Sequence, residues 1–125
     1  MKKVKLLAEL AVRIKREPKV NSHSFDGPCK CLFGYAWKYK LIDRKTAKKL
    51  AHYGRDAIWN SYFGIKEAPY AAEGSSGWLI YRTQDGDPGS VYSRAIRDYI
   101  ELNSPQSLGM FTRYVNEFEE KLFPS

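Results

Sequence analysis

Cysteine is nearly absent from this chain. It has two, Cys29 and Cys31, and one intervening residue is poor geometry for an ordinary disulfide. A disulfide framework is thereby excluded, and with it the usual mark of an oxidising compartment. Long apolar runs are missing too: nothing approaches the ~18 consecutive apolar residues of a membrane span. The start, MKKVKLLAELAVRIKRE, has the basic opening of a signal peptide. Glu9, Arg13 and Lys15 interrupt its apolar stretch, however, and no small-residue cleavage site follows. It is expected to be a mature amphipathic helix, in a cytoplasmic setting. The chain has no internal repeat, no dinucleotide fingerprint and no Gly-x-Ser-x-Gly elbow. Gly74-Ser75-Ser76-Gly77 lacks the lysine of a phosphate-binding loop.

What is present describes a globular protein. The 125 residues fit one domain, 1–125, long enough to bury a core without a covalent staple. The hydrophobic fraction of 43% and charged fraction of 28% rule out a disordered tail. Nine Tyr, six Phe and three Trp supply much of the apolar area; their polar edges suit positions where core meets partner. The net charge of +7 is unevenly spread. Residues 1–55 hold fifteen Lys/Arg against four Asp/Glu, whereas residues 56–125 hold six against ten. A basic half attracts polyanions: nucleic acid, an acidic protein surface or anionic lipid.

The periodicity predicts a mainly α fold, with about five helices in a compact single domain and one short β element near residues 78–83. Val4, Leu7, Ala8, Ala11 and Ile14 form one stripe of a first helix over Lys2 to Arg16, ended by Pro18. A second helix is expected from Pro28 to Lys40, burying Leu32, Tyr35, Ala36 and Tyr39 and capped by Asp26 or Gly27. Asp43 suits the N-cap of a third, continuing in phase through Gly54 to Tyr62. Gly64 to Gly77 is a loop, and Trp78 to Tyr81 has strand propensity. Asp87-Pro88 opens a helix over Ser90 to Leu102 with Tyr92, Ala95, Ile96 and Tyr99 inward; Asn103, Ser104 and Pro105 stop it. The last helix, Gln106 to Leu122, aligns Leu108, Phe111, Val115, Phe118 and Leu122.

Chemistry has few places to reside. Cys29, in the first turn of the second helix beside Lys30, would feel a thiol-acidifying field, and His23 or His52 would serve as its base. The plainer reading, a small apolar side chain packing that helix, is preferred because no catalytic signature surrounds it. His23, Cys29, Cys31 and His52 together have the donor types of a tetrahedral zinc site. The Cys-x-Cys spacing is unusual for one, and no second cysteine pair exists. His52 and Asp56 lie four apart on the third helix, near Lys48, Lys49 and Arg55, a set compatible with metal-independent RNA cleavage. A local hydrogen bond on a lysine-rich surface helix accounts equally for the spacing and is the commoner case. Asp85-Gly86-Asp87 lacks the distal ligands of a calcium loop and is explained by a turn and a helix cap.

Basic and aromatic residues interleave from Tyr35 to Lys49. Trp37, Lys38 and Lys40 are expected on the exposed side, continued by Arg44, Lys45, Lys48 and Lys49. Lysines neutralise phosphates, and an exposed aromatic stacks on an unpaired base. In general character the chain resembles the short accessory proteins that phages encode to bind host machinery, a resemblance of composition that covers no motif. The expected function is a cofactor-free, non-enzymatic binding protein whose N-terminal half engages nucleic acid or an acidic protein surface. The acidic C-terminal half leaves room for head-to-tail self-association. The alternative is a small enzyme using Cys29, or His52 with Asp56.

Overall fold

The computed structural model describes residues 2–17, 32–47 and 89–124. Within them the fold is mainly α, and no strand occurs among the described residues. In chain order these are α1 (Lys2–Ile14), α2 (Leu32–Lys38), a helical turn at residues 44–47, α3 (Gly89–Asn103), a 3₁₀ turn (Pro105–Ser107) and α4 (Leu108–Leu122). No helix among the described residues is long and apolar enough to cross a membrane. The start expected at Pro28, the third helix beyond residue 47, the loop at 64–77 and the β element at 78–83 lie outside the described residues.

Helix α1 is the centre of the packing, lying mainly against α4 and α3 and touching α2. Its predicted stripe is buried at Leu7, Ala8, Ala11 and Ile14, but Leu10 and Val12 are each only 1% exposed as well. At 3.6 residues per turn, these six positions cover more than half of the helix circumference. The single stripe read from the sequence is therefore too narrow: two helices, rather than one, cover α1. What remains to solvent is a strip carrying Lys5, Glu9, Arg13 and Arg16.

Helix α3 supplies Ile96, Tyr99 and Ile100, all essentially inaccessible, and α4 supplies Phe111 and Phe118. Leu108, Val115 and Leu122 pack partly buried against the same core, as their phase predicts. Pro105 separates α3 from α4. A proline has no N–H to continue a helix, so the Ser104 N–H makes the last bond, to the Ile100 carbonyl at 2.7 Å. The chain then tightens into the 3₁₀ turn, and α4 begins at Leu108 rather than Gln106.

The C-terminal ends of α1 and α4 are tied by charge. The Arg16 guanidinium donates to both oxygens of Glu119, at 3.3 and 2.6 Å, and to the Val12 carbonyl at 3.0 Å. It also lies 3.7 Å from the Phe123 ring centroid. Lys15 approaches the same carboxylate at 3.8 Å. The hydrogen bonds from Arg16 hold the Glu119 carboxyl below its usual range, with the Arg16 and Lys15 charges adding to the effect.

Two predictions follow from this packing. Leu10→Ala should destabilise the protein by about 2–5 kcal/mol in chemical denaturation, the cost of a core cavity. Leu102→Ala, at a site 48% exposed, should change stability by less than about 0.5 kcal/mol. Because folding lowers the Glu119 pKa, its contribution is present above the unfolded carboxylate range and lost as pH falls through the folded value. Glu119→Gln should therefore cost up to about 1 kcal/mol at neutral pH. The difference from the parent should vanish in acid and shrink with added salt.

Candidate functional site

The candidate site is built where α2 ends and the next helical turn begins. After Lys38 the Lys40 N–H bonds to the Trp37 carbonyl at 2.8 Å and the Leu41 N–H to the Ala36 carbonyl at 3.0 Å. This bond pair is a Schellman cap, whose reversing residue is usually glycine in the left-handed region. Here it is Lys40, at φ 63°. A side chain in that conformation costs roughly 1 kcal/mol or more, and the surrounding structure must hold it there.

Three residues on, the chain turns back into a helix. The Asp43 carboxylate accepts the Thr46 N–H at 2.7 Å, and the Asp43 carbonyl accepts the Ala47 N–H at 3.0 Å. Asp43 is thus the N-cap the sequence predicts. A C-cap followed at once by an N-cap makes a firm corner, anchored in the core by Ile42 and Ala47.

The corner encloses an open recess of about 520 Å³. Trp37, Leu41 and Ile42 give it apolar wall, while Lys40, Asp43, Arg44 and Thr46 give it polar rim. The Arg44 guanidinium stands 5.8 Å from the Trp37 ring centroid, within reach of a cation–π contact. Trp37 is half-buried and packs on the core. It is therefore not fully exposed as the sequence suggested: the residue packs on the core and also lines the recess. Lys38 and Lys45 are exposed.

Several of the other described cations of the N-terminal half are engaged within the chain. Arg13 pairs with Glu9 at 2.8 Å, and Arg16 and Lys15 share Glu119. Lys38 lies 3.8 Å from Glu17, which also accepts the Tyr39 hydroxyl at 2.6 Å. Burial and then the Glu17 hydrogen bond raise the Tyr39 pKa far above its usual value, so that hydroxyl stays a donor. Tyr39 stacks on Tyr35 and faces Arg13, as the shared core-side face of these tyrosines requires. By contrast, Lys40, Arg44 and Lys45 have no carboxylate partner among the described residues.

Of the residues singled out in the sequence, Trp37, Lys40 and Arg44 meet in the recess, while Lys38 and Lys45 are exposed and are not part of its lining. Leu41, Ile42, Asp43 and Thr46 join the lining; they carry no binding signal in one dimension, because only the reversal at Lys40 folds them inward. Lys48 and Lys49 lie outside the described residues. So do Cys29, His52 and Asp56, the alternative catalytic set, and His23 and Cys31 of the alternative metal set. No cluster of three metal-ligating side chains occurs among the described residues. No protein-family model, curated protein or solved structure matches the chain.

The cap geometry makes one prediction about stability. Lys40→Gly should stabilise the fold by about 0.5–1 kcal/mol in thermal or denaturant unfolding, since relief of the left-handed strain outweighs the greater freedom of glycine in the unfolded chain. Lys40→Ala should leave stability nearly unchanged.

Proposed function

We propose that this chain is a small, basic, non-enzymatic binding protein whose N-terminal half engages an acidic partner, nucleic acid or an acidic protein surface. One observation carries the reading. Lys40, Arg44 and Lys45 lack carboxylate partners among the described residues, and Lys40 and Arg44 line an apolar-walled recess. Cations paired inside a protein offer little to a ligand, whereas unmatched ones on a rigid corner focus a positive potential. The left-handed lysine adds weight, because backbone strain concentrates at functional positions. A role as a phage-type accessory or inhibitor protein acting in the cytoplasm is consistent with the size and composition. The pairing of Arg16 with Glu119 in one chain uses charges that head-to-tail self-association would otherwise draw on.

The test is binding of labelled single-stranded RNA and of polyglutamate across a salt series, followed by fluorescence anisotropy. Binding to either should weaken steeply with salt. For RNA, neutralisation by Lys40, Arg44 and Lys45 corresponds to a log–log slope of about −2. Arg44→Gln and Lys45→Gln should each flatten it by roughly 0.7. Absence of binding to both polyanions at low salt overturns the proposal.

A further inference from the structure

The make-up of the recess favours one of the two kinds of acidic partner, provided the partner is bound at this corner as proposed above. A nucleic acid is a continuous polyanion, with one charge per ~1.7 Å of duplex axis, and its phosphates call for a track of cations. Among the described residues that track is broken. Arg13, Lys15, Arg16 and Lys38 are tied to carboxylates, and the recess lining carries Asp43 beside Lys40 and Arg44. Two cations with one carboxylate leave a small positive excess, which suits a single negative group better than a row of phosphates. The apolar wall points the same way. Leu41 is half-buried, so part of its surface stays open to the recess, and Ile42 behind it is anchored in the core. The volume of about 520 Å³ lies within the range of small-ligand sites, roughly 300–1,000 Å³, more than one carboxylate fills. Apolar surface left open to water gains from being covered by a second apolar group.

We infer that the recess takes a short segment of a protein partner in which a carboxylate neighbours an aliphatic side chain, the carboxylate on Lys40 and Arg44 and the aliphatic group against Leu41 and Ile42. The planar guanidinium fork of Arg44 matches the two oxygens of a carboxylate, and Thr46 adds a hydroxyl to the same lining. Trp37 serves here as fixed wall: it packs on the core and holds Arg44 beside it. Exposed ion pairs add little affinity by themselves. The aliphatic contact accordingly supplies most of the binding strength, and the charges set orientation and choice of partner. A plain polyanion leaves Leu41 uncovered, and a neutral peptide leaves Lys40 and Arg44 without a counter-charge.

The decisive experiment titrates the full chain, at one salt concentration, with labelled peptides of equal length built on alternating Glu-Leu, Glu-Ser and Gln-Leu, and with an oligothymidylate of the same charge as the acidic peptides. The Glu-Leu peptide should bind roughly 10-fold tighter than the Glu-Ser peptide, the value of covering about half a leucine side chain. It should also bind several-fold tighter than the Gln-Leu peptide, and Arg44→Gln should reduce that second difference. Leu41→Ser should remove the preference for Glu-Leu over Glu-Ser. Because Leu41 also packs on the core, carbodiimide coupling in the unaltered protein gives a readout independent of how that variant folds: it should join a peptide glutamate to Lys40. Equal affinity for the Glu-Leu and Glu-Ser peptides, or coupling only to lysines elsewhere, overturns the peptide site and leaves the basic surface standing. Oligothymidylate bound more tightly than the Glu-Leu peptide overturns it in favour of nucleic acid. Self-association in analytical ultracentrifugation that Arg44→Gln abolishes overturns it in favour of a second copy of the chain. If neither the peptides nor the oligothymidylate bind at low salt, the broader proposal falls as well.

Discussion

The described structure depends on the burial of α1 on two sides. Leu7, Leu10, Val12 and Ile14 lose essentially all contact with solvent, and each such side chain contributes roughly 1.5–3 kcal/mol of transfer free energy. No single helix covers that arc, so α3 and α4 must both lie against α1, and the Ser104–Pro105 break between them allows it. The narrow polar strip left on α1 then dictates which charges meet. Glu9 and Arg13 are neighbours one turn apart, and Arg16 emerges where α4 ends.

This arrangement separates two groups among the described cations of the basic half. Arg13, Lys15, Arg16 and Lys38 find carboxylates within the protein: Glu9, Glu119 and Glu17. Such pairs at a surface add little to stability. Their larger effect is to orient the termini of α1 and α4 and to quiet the charge there. The Arg16 fork on Glu119, with Phe123 stacked on the guanidinium, exemplifies this. The second group, Lys40, Arg44 and Lys45 at the corner between α2 and the following turn, has no carboxylate partner among the described residues.

The corner owes its shape to main-chain hydrogen bonding more than to side-chain packing. A Schellman cap and an Asx N-cap separated by two residues leave the backbone few alternatives, because the first satisfies carbonyls at the end of α2 and the second an N–H at the start of the next turn. Ile42 and Ala47, both buried, fasten it to the core. A lysine in the left-handed position is less stable there than glycine, yet it puts an ammonium group on the recess lining. Stability and charge placement are in opposition at Lys40.

The local signals were legible in one dimension. Helical periodicity located α1, α3 and α4 to within a few residues, Asp43 was recognisable as a cap, and Pro105 as a break, because each depends on neighbours a few positions away. Trp37, Lys38, Lys40, Arg44 and Lys45 stood out as a basic and aromatic cluster for the same reason. The double-sided burial of α1 was not legible: Leu10 and Val12 are apolar residues off the main stripe, and only a second covering helix gives them a partner. The half-burial of Trp37 and the left-handed lysine were likewise hidden, since no glycine marked the reversal. Glu119 and Arg16 are 103 positions apart. Their pairing, and with it the division of the basic half into matched and unmatched cations, was decided by tertiary packing alone, because charge complementarity acts through space and not along the chain.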